Sequence, residues 1–309
     1  MVKKLTYYKN FNIKKNHQKS IILIGNFDGV HLGHQKLFNS AKNCKKKENL
    51  KIGVVTFDPI PKMFFFKKIK NYRISNLNQK LNIFKKFNVD FVINKKFDKK
   101  FSKINCTKFI SEIIYKKLNA KIIFVSNNFK FGNKREGDVK LLKLLEKKYN
   151  YKTINPLPLK KKNKIISSSL IRKLLADGKL NLVNNYLNRN WSIEGIVKKG
   201  RKIGKKIGFP TCNIDIENYV IAKPGVYAVR IRNLNNNKNS KGIANLGYRP
   251  TFNQKKILLE VNIFNFSGNL YNKKLTVDFI KFIRSEKKFK GIHELRKQIK
   301  SDLKNAKVA

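Results

Sequence analysis

The sequence predicts two domains. The first is an α/β domain with a doubly wound parallel sheet, and the second an all-β domain, a small antiparallel barrel closed by one helix. Three observations carry this. Short apolar runs alternate with longer segments of helical periodicity in the first half, the pattern of βαβ units. After "YLNRNWSIEG" the runs become strand-like, closely spaced and punctuated by Gly, Pro and Asn. A chain of 309 residues is also long enough for two cores.

Taken in order, "IILIG" (21–25), "IGVVTF" (52–57), "DFVI" (90–93) and "KIIFVS" (121–126) read as buried strands. Segments near 33–48, 76–88, 107–118 and 138–149 read as the helices between and after them, with two more at 168–177 and 179–187. The strand-like runs that follow are "SIEGIVKKG", "GVYAVRIRN", "KGIANLG", "ILLEVNIFNF" and "KLTVDFIKFI". "NLNNNKNSKG" (233–242) reads as a polar hairpin loop, and "IHELRKQIKSDL" as the closing helix over 292–305. The boundary is placed near 186–190, giving domains 1–187 and 188–309 with neither half borrowing residues from the other.

The formal charge is +53, but only ten of the 71 basic residues are arginine, and lysines are spread along the whole chain. Abundant Asn, Ile and Phe point to A/T-rich codons rather than a dedicated nucleic-acid face. Weak, salt-sensitive polyanion binding is the expected residue of that charge, with no specific nucleic-acid partner. Cys44, Cys106 and Cys212 are scattered without metal-ligand spacing, which predicts reduced thiols. The basic start has no apolar core and no run reaches the length of a membrane span, so a soluble cytoplasmic protein without a membrane partner is expected.

Two of the four histidines fall in "GNFDGVHLGH" (25–34), directly after a strand and at the start of a helix. A strand, a glycine turn and a helix N-terminus make an anion site. His31 and His34 at i and i+3 face the same way and suit a phosphate or a charge developing during phosphoryl transfer. Gly33 leaves room for a nucleotide against the backbone. Asp28 reads as a cap of the turn or a group near the phosphates. In the second half, Thr211 and Asn213 in "GFPTCN" lie two apart, so both side chains share one face of an extended segment. A hydroxyl and an amide oxygen are hard ligands suited to Mg²⁺ on ATP phosphates. "GRKIGKK" fails the P-loop spacing and reads instead as a glycine-bearing flap. Glu260 stands in "ILLEVNIFNF", a strand read as apolar on both faces, where a carboxylate is costly unless paired or facing a polar site. It reads as a general base toward a primary alcohol or as half of a salt bridge.

"GNFDGVHLGHQKL" resembles the signature of the HxGH nucleotidylyltransferases, and within them the FAD synthetases. "TFDPIP" (56–61), "FVSNNFKFGNKREGD" (124–138) and "ISSSLIRKLLADG" (166–178) resemble that family's later motifs. "GRKIGKKIGFPTCNI", "PGVYAV", "ANLGYRPTF", "LEVNIFNF" and "FIRSEKKF" resemble riboflavin kinase. The whole chain therefore resembles the bacterial bifunctional riboflavin kinase/FAD synthetases. The resemblance implies ATP-dependent phosphorylation of riboflavin to FMN, then adenylylation of FMN to FAD with release of pyrophosphate. It implies ATP contacts from Gly25, Phe27, Asp28, Gly33, Asn128, Ser168 and Arg172, with His31 and His34 at the reacting phosphates. A lone Ser168 would read as an N-cap, and Phe129 beside Asn128 either as core or as a ligand contact just past the strand's C-terminal end. On the kinase side it implies nucleotide and flavin contacts from Gly200, Gly204, Lys205, Gly208, Phe209, Pro210, Arg249, Arg284 and Glu286, Mg²⁺ on Thr211 and Asn213, and Glu260 as base. Arg284 and Glu286 also read as an ordinary surface ion pair.

Ser126, Ile60, Lys205 and Asn272 depart from the residues frequent at these motifs. Ser126 is expected to crowd the adenine side. Three alternatives stay open here. A class I tRNA synthetase-like enzyme would need a KMSKS-type loop and an anticodon domain, where this sequence has "ISSSLIR" and a small barrel. An RNA-binding protein gives no reason for "GFPTCN" or Glu260. Retention of only one of the two activities is the third.

Overall fold

The computed structural model describes residues 5–200, 204, 207–232, 239–250 and 255–308, with the side chains of 249, 250, 255 and 256 left aside. The chain divides into two compact units. One holds the residues up to Lys70 and Leu77–Ser167, the other Asn71–Asn76 and Ser168 onward.

The first unit is built on a six-stranded parallel sheet. Its strands are β1 (Thr6–Tyr8), β2 (Ile21–Ile24), β3 (Ile52–Asp58), β4 (Phe91–Lys96), β5 (Ile122–Phe124) and β8 (Lys152–Ile154), in the order β1-β4-β3-β2-β5-β8. Two short hairpins, β6 (Lys130–Phe131) with β7 (Gly137–Asp138) and β9 (Lys160–Lys161) with β10 (Lys164–Ile165), complete its strands. The apolar run of β2 is explained by its central place. Ile22 and Ile24 enter the core on one face of the sheet, Ile21 and Leu23 the core on the other. Helix α1 (Leu32–Glu48) returns the chain from β2 to β3. Helices α2 (Pro61–Phe65) and α3 (Leu77–Lys86) lie between β3 and β4 in the chain.

β1 and β8 were not expected from the sequence. Each is three residues long and lies at a sheet edge, too short to show a period. The helix expected over 107–118 is one α-turn, Cys106–Lys108, followed by a π-helical stretch, Phe109–Lys117. Leu118 N–H accordingly donates to Ile113 O. The helix expected over 138–149 breaks into Val139–Leu144 and Glu146–Tyr149.

The second unit contains a closed antiparallel barrel of β11 (Ser192–Lys198), β12 (Cys212–Ile214), β13 (Gly225–Arg232), β14 (Ser240–Pro250), β15 (Lys255–Ile263) and β16 (Lys274–Ser285). The order around it is β11-β12-β15-β14-β13-β16. Ile193, Ile214, Ile231, Leu246, Leu259, Leu275, Val277 and Phe279 are among its fully buried residues, and Trp191 packs on the Phe279 ring at 4.7 Å. The closing helix, Ile292–Lys307, seals the barrel through Leu303 and Ala306 against Val226, Ala228 and Ile243. Helices Ser168–Ala176 and Leu180–Leu187 belong to this unit. So does the 71–76 segment. Tyr72 and Arg73 N–H donate to Asn218 O, Val220 N–H donates to Arg73 O, and the Trp191 indole donates to Ile74 O at 3.0 Å.

Candidate functional sites

In the first unit the strand order turns back between β2 and β5, since the chain leaves β2 toward β3 on one side and reaches β5 on the other. Open α/β sheets bind ligands at such a point, beyond the strands' C-terminal ends. The 25–31 turn leaves β2 there, and Asn128 follows β5 on the same side.

The turn is tightly constrained. Gly25 N–H continues the ladder to Val55 O at 3.0 Å. Phe27, Gly29 and Val30 all have positive φ, at 48°, 81° and 38°. For a β-branched valine that is a strained backbone, of the kind that clusters at functional turns. Packing holds it. Val30 is wholly buried, its carbonyl accepts from the Gln35 amide at 2.9 Å, and Phe27 packs among His34, Phe38 and Phe84. The Phe27 ring is thus a core group, and what it offers a ligand is backbone.

His31 caps α1, and its ring stacks on that of His34 with centroids 3.8 Å apart. The i, i+3 spacing thus sets the two imidazoles face to face. His34 is held well below the usual imidazole pKa, chiefly by burial, then by the nearby His31 and Lys80 charges. It is neutral at neutral pH, and its Nδ1 is buried with no hydrogen-bond partner among the described residues. The Asn26 Oδ1 is in the same condition. Asp28 is buried in the same turn. Gly33 is also required by the fold itself. A Cβ there would press on Ile166 O at 3.0 Å and on the His31 ring, so the glycine makes room for the protein's own chain.

Asn128 is exposed beyond β5, and the Ser126 hydroxyl donates to its Oδ1 at 3.0 Å. The serine at this departure from the motif orients the asparagine. Phe129 stacks on Phe131 and joins the core. Ser168 and Arg172 fall in the second unit. Ser168 opens its helix, and the Arg172 guanidinium stacks 3.6 Å over the Tyr72 ring while Nε donates to Tyr72 O. A residue the sequence reading missed is Lys80 on α3. It is buried, and it donates to Asn26 O at 3.1 Å and to the Thr56 hydroxyl at 3.0 Å. The available signal was its place on the apolar stripe of Leu77, Leu81 and Phe84.

In the barrel, register brings Asn213 of β12 opposite Glu260 of β15, and Asn245 of β14 opposite Glu260 on its other side. Leu259 and Val261 face the barrel interior, so Glu260 is on the outer face. The strand is not apolar on both faces; the outer one carries a polar row of three side chains. Asn213 Oδ1 is buried without a hydrogen-bond partner among the described residues. That orphaned amide oxygen, with the Thr211 hydroxyl two residues away, fits a hard cation.

The glycines of the flap are explained by close approach. A Cβ at Gly200 would overlap the Asn213 amide, and one at Gly204 would meet Phe209 O and the Thr211 hydroxyl. Gly208 has φ 88° in open space and needs glycine for its conformation alone. Phe209 N–H donates to Gly204 O, and the Asn262 amide donates to Pro210 O at 2.7 Å, fixing the segment that leads to Thr211. Lys205 and the Arg249 side chain lie outside the described residues. Arg284 grips the buried Asp302 of the closing helix, with Nε and a terminal nitrogen at 2.7–2.9 Å. Burial raises the Glu286 carboxyl above its ordinary range.

A family model described as FAD synthetase matches residues 13–170, and one described as riboflavin kinase matches residues 187–309. The chain belongs to the bifunctional riboflavin kinase/FMN adenylyltransferase family. It is 40% identical to the member from Buchnera aphidicola subsp. Schizaphis graminum, over 96% of both chains. It is 35% identical to the Escherichia coli K12 member, over 94% of this chain and 93% of that one. Among solved structures it resembles one described as a macrolide-efflux protein from Streptococcus pneumoniae. That match has TM-score 0.84 and 26% identity, covering 98% of each chain. No helix among the described residues is long and apolar enough to cross a membrane. The imidazole pair lies within the first matched segment, and Thr211, Asn213 and Glu260 within the second.

Proposed function

We propose that this chain makes FMN and then FAD, at two sites that correspond to functional domains 1–187 and 188–309. The reading rests on two matched family segments, each holding a candidate reacting set: His31 and His34 in residues 13–170, and Thr211, Asn213 and Glu260 in residues 187–309. At the barrel, the Glu260 carboxylate takes the proton of riboflavin's ribityl 5′-hydroxyl as that oxygen attacks the γ-phosphorus of ATP, and ADP leaves. Thr211 and Asn213 would hold Mg²⁺, which supplies charge neutralisation at the ATP phosphates. Gly200, Gly204, Lys205, Gly208, Phe209 and Pro210 form the nucleotide flap, with Arg249, Arg284 and Glu286 toward the flavin.

At the 25–34 turn, a phosphate oxygen of FMN attacks the α-phosphorus of a second ATP. The α–β phosphoanhydride bond breaks and pyrophosphate leaves. His31 and His34 offer ring N–H groups where charge gathers on the phosphates. Gly25, Phe27, Asp28 and Gly33 shape the turn, and Asn128 contributes to ATP. A neutral His34 suits this role, because a donor held at fixed geometry stabilises developing charge without reorganising. The reading includes a cytoplasmic location and, from the charge, weak non-specific polyanion binding.

The test is one time course. Purified protein with riboflavin, ATP and Mg²⁺ should accumulate FMN first and FAD second when the flavins are separated. FMN without FAD would leave a kinase only; FAD from supplied FMN, with no use of riboflavin, would leave the adenylyltransferase only. No flavin turnover at all would refute the reading.

A further inference from the structure

Among the described residues Lys80 is the only buried lysine. Burying an ammonium is unfavourable unless its donors are satisfied. Here it is held between the ends of two central strands. It donates to the Asn26 carbonyl, in the turn after β2, and to the Thr56 hydroxyl, near the end of β3. Thr56 is itself fully buried and donates to the same Asn26 carbonyl at 3.1 Å. Two donors from two elements therefore converge on one carbonyl, immediately before the strained stretch Phe27–Val30 that ends in His31. A positive charge is thus buried near the imidazole pair, close enough to bear on His34. It suits a site whose ligand is a polyphosphate.

We propose that Lys80 is a positioning residue for adenylyl transfer: its ammonium fixes the Asn26 carbonyl, and through it the backbone that aims His31 and His34, while adding fixed positive charge behind the phosphates. This rests on the reading of the 25–34 turn as the adenylylation site. Small displacements of catalytic groups are expensive, about 10²-fold for an ångström. The effect belongs in kcat for FMN adenylylation, with KM for ATP moving less.

Three full-length variants test it beside wild type: Lys80→Met, Lys80→Arg and Thr56→Val. Adenylylation kcat and KM, riboflavin phosphorylation and melting temperature are measured on the same preparations. Methionine keeps volume and loses charge, whereas arginine keeps charge and overpacks the slot. The expected order of adenylylation kcat is Lys, then Arg, then Met, with riboflavin phosphorylation unchanged. A Met variant equal to or faster than the Arg variant means the residue is packing, and overturns the proposal. So does a Met variant within about threefold of wild type. If neither Lys80 variant folds, Thr56→Val decides. It removes one donor to the same carbonyl and one acceptor of the ammonium, and in a variant that still folds should lower kcat about tenfold; wild-type kcat would overturn the proposal. His31→Ala with His34→Ala in the same series separates this from the site reading. That double variant should lose about 10²-fold or more in adenylylation and keep the kinase step. FAD formation surviving it would refute the site itself, whereas its loss alongside an active Met variant refutes only Lys80.

Discussion

Glu260 stands on the outer face of the barrel between two asparagines, which makes glutamine a close mimic of its shape and hydrogen bonding. Glu260→Gln should leave riboflavin and ATP affinity nearly intact and cut FMN formation by about 10² to 10⁴-fold, the range of a lost general base. Turnover and melting temperature measured on one preparation decide it; a destabilised variant with full turnover would make Glu260 a structural ion-pair partner. His34 gives a pH prediction. Its pKa in the folded chain is depressed well below 6.5, whereas in the unfolded chain it titrates normally. As pH falls below about 6.5 the unfolded chain takes up a proton that the native ring refuses, so stability drops in that range. His17, depressed by burial and by Lys51, acts in the same direction. His34→Gln should remove one share of this acid sensitivity, seen as a smaller difference in melting temperature between about pH 5.5 and pH 7.5. An unchanged difference would mean that His34 titrates freely. The imidazole pair was legible in the sequence because histidine is scarce here and its spacing is informative. Lys80 was not, because in a lysine-rich chain its place on the apolar stripe of α3 is a weak signal until burial singles it out.

Regular elements with strong periodicity were read correctly, and the failures share a cause. β2, β3 and β4 show themselves as apolar runs because both faces of a central parallel strand are buried. β1 and β8 pair along one side only and are three residues long, so their sequence holds too few positions to show a pattern. The π-helical stretch has an apolar face that α-helical counting fits almost as well. Glu260 was found for a reason that proved wrong: Leu258 on its own face and Leu259 and Val261 on the other made both faces look apolar, while the residues beside it on that face, Asn213 and Asn245, come from other strands. Register across strands is not written locally. The closing helix carries a testable contact of the same non-local kind. Arg284 of β16 engages Asp302, which is 2% exposed, and Gln298 donates to the same carboxylate. Arg284→Met leaves that carboxylate buried with its guanidinium gone, and should destabilise the barrel by about 3–5 kcal/mol. Urea denaturation measures it, and a loss under about 1 kcal/mol would place the pair among ordinary surface bridges.

At the scale of the whole chain, the high positive charge says little about chemistry, while the separation of the two constellations says a good deal. Riboflavin phosphorylation should survive removal of the first half. A fragment of residues 187–309 should convert riboflavin to FMN and make no FAD, since it holds Thr211, Asn213 and Glu260 and lacks His31 and His34. The 71–76 segment adds a condition that the sequence concealed. Ile74 is 1% exposed, its carbonyl accepts from the Trp191 indole, and the backbone of Tyr72 and Arg73 is hydrogen-bonded to Asn218. The fragment loses these contacts along with the helices Ser168–Ala176 and Leu180–Leu187. Trp191 is the chain's single tryptophan and is almost wholly buried, so its fluorescence reports the loss directly. Its emission should shift to the red in the fragment, and the melting temperature should fall, while the site residues of the barrel keep their strand pairing. A longer fragment, 168–309, restores the helices and not the strap, and should fall between the two. Unshifted emission in both fragments would mean that the barrel buries Trp191 without help. A folded 187–309 fragment unable to phosphorylate riboflavin would mean that the kinase site needs the segments it has lost, and the two activities would not be separable.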